Sequence, residues 1–262
     1  MVHRILHLTD LHLMTDAEQR LRGVPTQSTL TSILQQVRDH AFDLLVITGD
    51  LAHDEQGSTY DWLRSQLGDC LERCRFLPGN HDNRALLRAT FPEHVIDASP
   101  DAPITFRAAL GPWRLMGLDT HLPGSVAGDL DRKQLTWLQE ELDRCAPQPT
   151  ILLMHHPPIP IASEWLDALG LQDPRPFQEL ISRAPHVRLI LAGHVHQEFG
   201  GRLEQADVWT TPSTAVQFVP GQATPTYDAV PPGFRLIELD AEAYHTQVIR
   251  RPQLEFPPDP NA

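Results

Sequence analysis

The chain is poor in cysteine, nearly devoid of lysine and without any long apolar run. It has three cysteines, Cys70, Cys74 and Cys145, and one lysine, Lys133. No uncharged apolar stretch approaches the roughly 18 residues that a membrane helix needs. An odd cysteine count without a CxxC pair argues against a disulfide framework and against a thiolate zinc site, leaving reduced structural thiols. The 21 basic residues are Lys133 and twenty scattered arginines, against 34 acidic residues, for a net charge of -13. Such a surface repels a nucleic-acid polymer or an anionic membrane, while a small anionic ligand stays admissible if a metal supplies local positive charge. The opening MVHRILHLTD places Asp10 where a secretory leader has its apolar stretch, so the expected location is cytoplasmic. There is no Walker loop and no GxGxxG, and Gly124-Ser125-Val126-Ala127-Gly128 lacks the GxSxG order, so serine-nucleophile chemistry has no support.

What remains is an ordinary globular composition. Hydrophobic residues make up 41%, charged residues 21%, and mean hydropathy is -0.29. A chain of 262 residues is long enough for one large core. Apolar runs over 4–8, 43–48, 75–77, 113–118, 150–154 and 187–192 alternate with amphipathic stretches over 26–40, 59–71, 132–144 and 174–183. This alternation predicts an α/β layered fold with the apolar runs as buried strands. After His196 the pattern changes to short strand candidates at 199–203, 208–211, 234–239 and 244–250 with no helix between them. They predict a mixed or antiparallel sheet packed on the first. Residues 220–233 read as a long loop, and with no linker between two cores we expect a single domain over 1–251 followed by a Pro-rich tail, 252–262.

Fourteen histidines is a high count, and their positions carry the chemistry. Five polar clusters each sit where an apolar run stops: Asp10 and His12, Gly49-Asp50, Gly79-Asn80-His81-Asp82, His155-His156, and Gly193-His194-Val195-His196. Taken singly, an aspartate after a strand is usually a turn former, and a lone histidine there is usually a hydrogen-bonded structural residue. The pairs are stronger, because residues i and i+2 of an extended segment point the same way. In an open α/β sheet such strand ends converge on one crevice. Carboxylates, imidazoles and an amide without thiolate suit Mn, Fe, Zn or Co, and a set this large exceeds one four-coordinate site, which implies two ions with one carboxylate between them.

These five motifs, in this order from Asp10 to His196, resemble the calcineurin-like metallophosphoesterases. Further stretches are similar to its class III bacterial 3',5'-cyclic-AMP phosphodiesterase branch: Leu21-Arg22-Gly23-Val24, Ser163-Glu164-Trp165-Leu166-Asp167, His196-Gln197-Glu198, Thr211-Pro212-Ser213-Thr214, Val216-Gln217-Phe218 and Pro232-Gly233-Phe234-Arg235. The resemblance implies a four-layer αββα sandwich, two mixed β-sheets flanked by helices. It implies one metal held by Asp10, His12, Asp50 and His196 and a second by Asp50, Asn80, His155 and His194, with Asp50 bridging. His81 would lie just outside the metals, and His12, Asn80, His81 and His196 would face the substrate. His156 is ambiguous beside His155. The implied activity is hydrolysis of cyclic AMP to 5'-AMP by a metal-bridging hydroxide, with iron and manganese foremost, Asn80 stabilising the phosphate and His81 assisting the departing 3'-oxygen. A homodimer is a family habit. Two other readings stay open: action on another small phosphodiester, such as a glycerophosphodiester or a nucleotide diphosphate derivative, and a non-catalytic metal-binding scaffold. Trp165 could stack on a base or simply be a core or edge residue, and base contacts are expected from loops near 163–172 and 217–233.

Overall fold

The computed structural model describes residues 2–94, 99 and 102–259. Its first sheet has strand order β13-β12-β1-β2-β3, built from His3–Leu8 (β1), Leu44–Thr48 (β2), Cys74–Leu77 (β3), Gly233–Leu239 (β12) and Tyr244–Arg250 (β13). The second has order β4-β5-β6-β7-β9-β8, from Phe106–Leu110 (β4), Trp113–Gly117 (β5), Thr150–Leu153 (β6), Val187–Ala192 (β7), Phe199–Leu203 (β8) and Ala206–Thr210 (β9). A two-strand ladder pairs Gln217–Phe218 (β10) with Tyr227–Asp228 (β11). In the first sheet β1, β2 and β3 run parallel, and in the second β5, β6, β7 and β9 do.

Strand residues alternate between two apolar layers, as a period of two requires. Ile5, Leu44, Val46, Ile151, Leu189 and Ile237 face the space between the sheets. Their neighbours Leu6, Leu45 and Leu236 turn outward onto the helices Thr26–Asp39 (α1), Gly57–Leu67 (α2) and Arg84–Thr90 (α3). On the other side Leu152, Ile190 and Val208 meet Arg132–Cys145 (α4) and Arg175–Ser182 (α6), with the short Glu164–Asp167 (α5) near the cleft. Helix α1 buries Leu30, Ile33, Leu34 and Val37, the i, i+3, i+4, i+7 stripe of a one-sided helix. The result is helix, sheet, sheet, helix, the expected αββα sandwich.

Four details differ from the sequence expectation. The strands after His196 do not form their own sheet: β8 and β9 extend the second sheet, while β12 and β13 cross back to flank β1. The predicted 59–71 helix ends at Leu67, where Gly68 interrupts it and a 3-10 turn continues to Arg73. Helix α3, capped by the Asn83 side chain, and strand β4 were not expected. The 220–233 loop contains β11. Of the tail, 260–262 lie outside the described residues. Among the described residues no helix is long and apolar enough to cross a membrane.

Candidate metal centre

All five clusters follow the C-terminal ends of parallel strands: β1, β2 and β3 of one sheet and β6 and β7 of the other. Aligned ends of this kind open onto one crevice. The chain does not stay extended there. Asp10, His12, Asp50, His194 and His196 have φ of 54°, 45°, 51°, 70° and 49°, in the left-handed region that non-glycine residues rarely adopt. The pairs Asp10/His12 and His194/His196 therefore converge because the backbone curls, not because it is extended. Backbone hydrogen bonds hold the curl: Asp10 N–H donates to the Gly49 carbonyl at 3.0 Å and His12 N–H to the Asp50 carbonyl at 2.8 Å. Gly49, at φ 97°, must be glycine, since a Cβ there would meet His155 Nδ1 at 2.5 Å and Gly79 N at 2.6 Å.

Two groups of donor atoms result. In one, His12 Nε2 lies 3.0 Å from His196 Nε2 and 3.4 Å from Asp50 Oδ2, and His196 Nε2 lies 3.3 Å from Asp10 Oδ1. In the other, His155 Nε2 lies 3.4 Å from Asp50 Oδ1 and 3.2 Å from Asn80 Oδ1, and His194 Nδ1 lies 3.0 Å from Asn80 Oδ1. The two oxygens of Asp50 thus face different groups.

The chemistry of these donors tests whether they fit a cation. A carbonyl can only accept, so Thr48 O, 2.7 Å from His155 Nδ1, and Val216 O, 2.9 Å from His196 Nδ1, put the protons on Nδ1. The Nε2 atoms then point at carboxylate and amide oxygens, and once Nε2 is deprotonated, as ligation requires, only lone pairs face one another. Mutual repulsion at such distances is relieved by a positive ion among them. Metal–ligand bonds of about 2.1 Å separate donors by about 3.0 Å in octahedral and about 3.4 Å in tetrahedral geometry, the separations seen in both groups. The His/Asp cluster suits two metal ions.

The titration of the site points the same way. Burial alone would raise Asp10, but the His196 imidazole, by charge and hydrogen bond, brings it down to about 2. Burial likewise opposes ionisation of Asp50, yet His155 holds it well below the carboxylate range. Burial lowers His12 well below its usual range and, helped by His155, takes His194 to about 3, so both imidazoles stay neutral and able to ligate. Burial disfavours a charge on His155, but the Asp50 carboxylate overcomes this and raises it to about 9, marking the spot where positive charge is stabilised.

Each expected site residue reaches this crevice. Asp10, His12, Asp50, His155, His194 and His196 are buried, while Asn80 and His81 are half-buried at its mouth. His156 is differently engaged: Nδ1 is 2.8 Å from Thr120 Oγ1 and Nε2 2.9 Å from the Val126 carbonyl, so both nitrogens are bonded to protein. His53 was not anticipated. It stacks on His81 at 4.8 Å and its Nδ1 is 3.2 Å from His12 Nδ1; lying three residues after Asp50, it was within reach of the motif reading. Behind the donors, Ser213 Oγ donates to the Asp10 carbonyl at 2.6 Å. His7 sits between Thr48 Oγ1 at 2.6 Å and Thr211 Oγ1 at 2.7 Å, tying one sheet to the other.

In front of the donors lies a cleft of about 450 Å³ whose far wall is Trp165, Leu166, Phe218 and Tyr227, with Arg20 and Arg22 at the rim. The two loops expected to supply base contacts both contribute to it. Phe218 stacks on His196 at 4.7 Å, and Trp165 meets Phe218 edge to face at 4.9 Å. A second recess of about 590 Å³ opens on the other side of Asn80 and His81, toward Arg84 and His121.

Comparison with known proteins agrees with this geometry. Residues 3–198 match the family described as calcineurin-like phosphoesterase. The chain is 35% identical to the 3',5'-cyclic adenosine monophosphate phosphodiesterase CpdA of Escherichia coli K12, over 98% of this chain and 92% of that protein. It is 32% identical to CpdA of Pseudomonas aeruginosa, over 90% and 85%. It is 31% identical to a 3',5'-cyclic-nucleotide phosphodiesterase of Nostoc, over 98% and 95%. Among solved structures, a dimetal phosphatase from Danio rerio shares the fold with a TM-score of 0.74 at 14% identity, over 96% of this chain and 97% of that one.

Proposed function

The chain belongs to the calcineurin-like phosphoesterase family, as a 3',5'-cyclic-nucleotide phosphodiesterase, and we propose that its substrate is cyclic AMP, opened to 5'-AMP at a two-metal centre. The observation that carries the proposal is Asp50, whose two oxygens each face a separate set of nitrogen and oxygen donors. Asp10, His12, Asp50 and His196 would hold one ion and Asp50, Asn80, His155 and His194 the other. Iron and manganese suit this thiolate-free set. Two such ions, when bound, supply water activation near neutral pH and offset the charge that builds on the phosphate.

The protein's own residues do the rest. The Thr48 and Val216 carbonyls hold the Nδ1 protons of His155 and His196, so Nε2 is the nitrogen each would present to an ion. Asn80 steadies a phosphate oxygen. His81, half-buried, stacked on His53 and edge-on to His12, stands where it can give a proton to the departing 3'-oxygen as water adds at phosphorus. The balance is one cyclic diester plus one water to one monoester with a free 3'-hydroxyl. Ions held by these residues would offset the acidic surface for a monoanion, and the enzyme works in the cytoplasm on a small nucleotide.

The test is turnover by the iron- and manganese-reconstituted protein of cyclic AMP beside cyclic GMP, a glycerophosphodiester and a bis-aryl phosphodiester. Highest kcat/KM for cyclic AMP, with 5'-AMP as product, is expected. Turnover of the bis-aryl diester alone would overturn the substrate and leave the chemistry.

A further inference from the structure

The Leu21-Arg22-Gly23-Val24 stretch plays no part in the metal centre, yet it forms part of the cleft. Leu21 and Val24 bond to each other through both backbone pairs at 2.9 Å, and Arg22 and Gly23 between them have φ of 49° and 82°. Positive φ at both central residues makes a tight reversal that projects the Arg22 side chain. Its Nε donates to the Tyr227 hydroxyl at 2.9 Å, and its guanidinium lies 5.5 Å from the centre of the Tyr227 ring. Tyr227 in turn lies 5.4 Å from Phe218, which stacks on the donor His196. One row of flat groups therefore runs from Arg22 at the rim to the metal ligands.

The other face of the same turn is held by the tail. Asp259 N–H donates to the Arg22 carbonyl at 2.8 Å, and a Cβ on Gly23 would meet Asp259 at 3.3 Å. Arg20, whose Nη1 donates to the Gly23 carbonyl at 3.3 Å, lies 5.9 Å from the centre of the Phe256 ring. Leu254 and Phe256 line a narrow recess with Val24 and Thr29 at the start of α1. The turn is thus clamped between the tail behind and Tyr227 in front.

We propose that Arg22 is a specificity residue that grips the purine end of the substrate at the cleft mouth, and that residues 252–259 are the strap that holds its turn in place. The inference rests on the cyclic-nucleotide reading above. With the phosphate at the donors, a base laid along the aromatic wall reaches Arg22, whose planar guanidinium beside Tyr227 offers a purine a stacking surface.

The experiment compares cyclic AMP with ribose 3',5'-cyclic phosphate, which keeps the reacting ring and lacks the base, on the manganese-reconstituted enzyme. Arg22→Ala should raise KM for cyclic AMP about tenfold, with kcat nearly unchanged and the base-free substrate unaffected. Asp259→Pro deletes the strap's N–H donor, whereas Asp259→Ala keeps it, so the KM rise should be larger for the proline variant, about threefold. An Arg22→Ala effect shared equally by both substrates, or no effect on cyclic AMP, overturns the specificity role. Equal behaviour of the two Asp259 variants overturns the strap. If the wild-type enzyme opens neither cyclic phosphate, the cyclic-nucleotide reading itself fails. Amide exchange at Leu21 and Val24, expected to be faster in Asp259→Pro than in Asp259→Ala, then decides the strap alone.

Discussion

At one end of the space between the sheets the strands present Ile5, Leu44, Trp113, Leu115, Ile151 and Leu239; at the other they present His7, Thr48 and Arg235. Both ends are fully buried, but they are built on different physics. The apolar end gains about 1.5–3 kcal/mol for each large side chain taken out of water and tolerates small shifts. The polar end gains little net from each hydrogen bond and loses much when one partner is removed. Arg235 shows the cost: burial brings its guanidinium down to about 10, and it is retained by a 2.8 Å hydrogen bond to the Thr210 carbonyl and by the Trp209 face at 5.0 Å. One end supplies stability. The other fixes direction, because hydrogen bonds lock the strand termini from which the donors project.

The largest test of that contrast is Asp50→Ala. It removes the carboxylate that both donor groups share, so metal analysis should find neither ion retained and turnover should fall to background, while the apolar end keeps the protein folded by circular dichroism. Two full equivalents of metal with normal turnover would refute the assignment. Next comes His81→Ala, expected to lower kcat by about 10²–10⁴ with metal content unchanged; metal loss instead would make His81 a ligand. At the opposite end, Ile151→Ala should cost about 2–5 kcal/mol in denaturant unfolding and leave turnover per folded molecule intact.

The smallest effect belongs to the post between the sheets. Burial, followed by the charge of Arg235, holds His7 down at about 3, against an ordinary value near 6.5. The unfolded chain therefore binds a proton at a pH where the folded one does not. Stability is fully present above about pH 6.5 and is lost as pH falls toward 3, with about 2 kcal/mol going between pH 7 and pH 5. His7→Gln, which keeps a polar side chain between Thr48 and Thr211, should flatten the stability profile by that amount over that interval in denaturant titrations. An unchanged slope would show that His7 is not the titrating post.

The same contrast explains what could be read from the sequence. Ligand types are dictated by metal chemistry and strand ends by apolar runs, so Asp10, His12, Asp50, Asn80, His155, His194 and His196 stood out without coordinates. So did the strands that precede them. The partition of later strands did not, because an apolar run marks β9 and β12 as strands while only pairing decides which sheet receives each. Short elements such as α3 and β4 escaped because seven and five residues carry too few periods to register. His53 escaped, and Arg22 appeared only within Leu21-Arg22-Gly23-Val24, because their contacts with His81 and Tyr227 are to partners remote in sequence.

Among the described residues, nine non-glycine positions have positive φ, and five of them are Asp10, His12, Asp50, His194 and His196. A glycine at any of these five would relax the backbone by roughly 1–3 kcal/mol. A laboratory screen that rewards heat resistance alone would therefore draw the protein toward replacing these donor residues, and a natural lineage released from selection for turnover would drift the same way. Sturdier, inert descendants are the expected decay products of this fold, and glycines at these positions would be their mark.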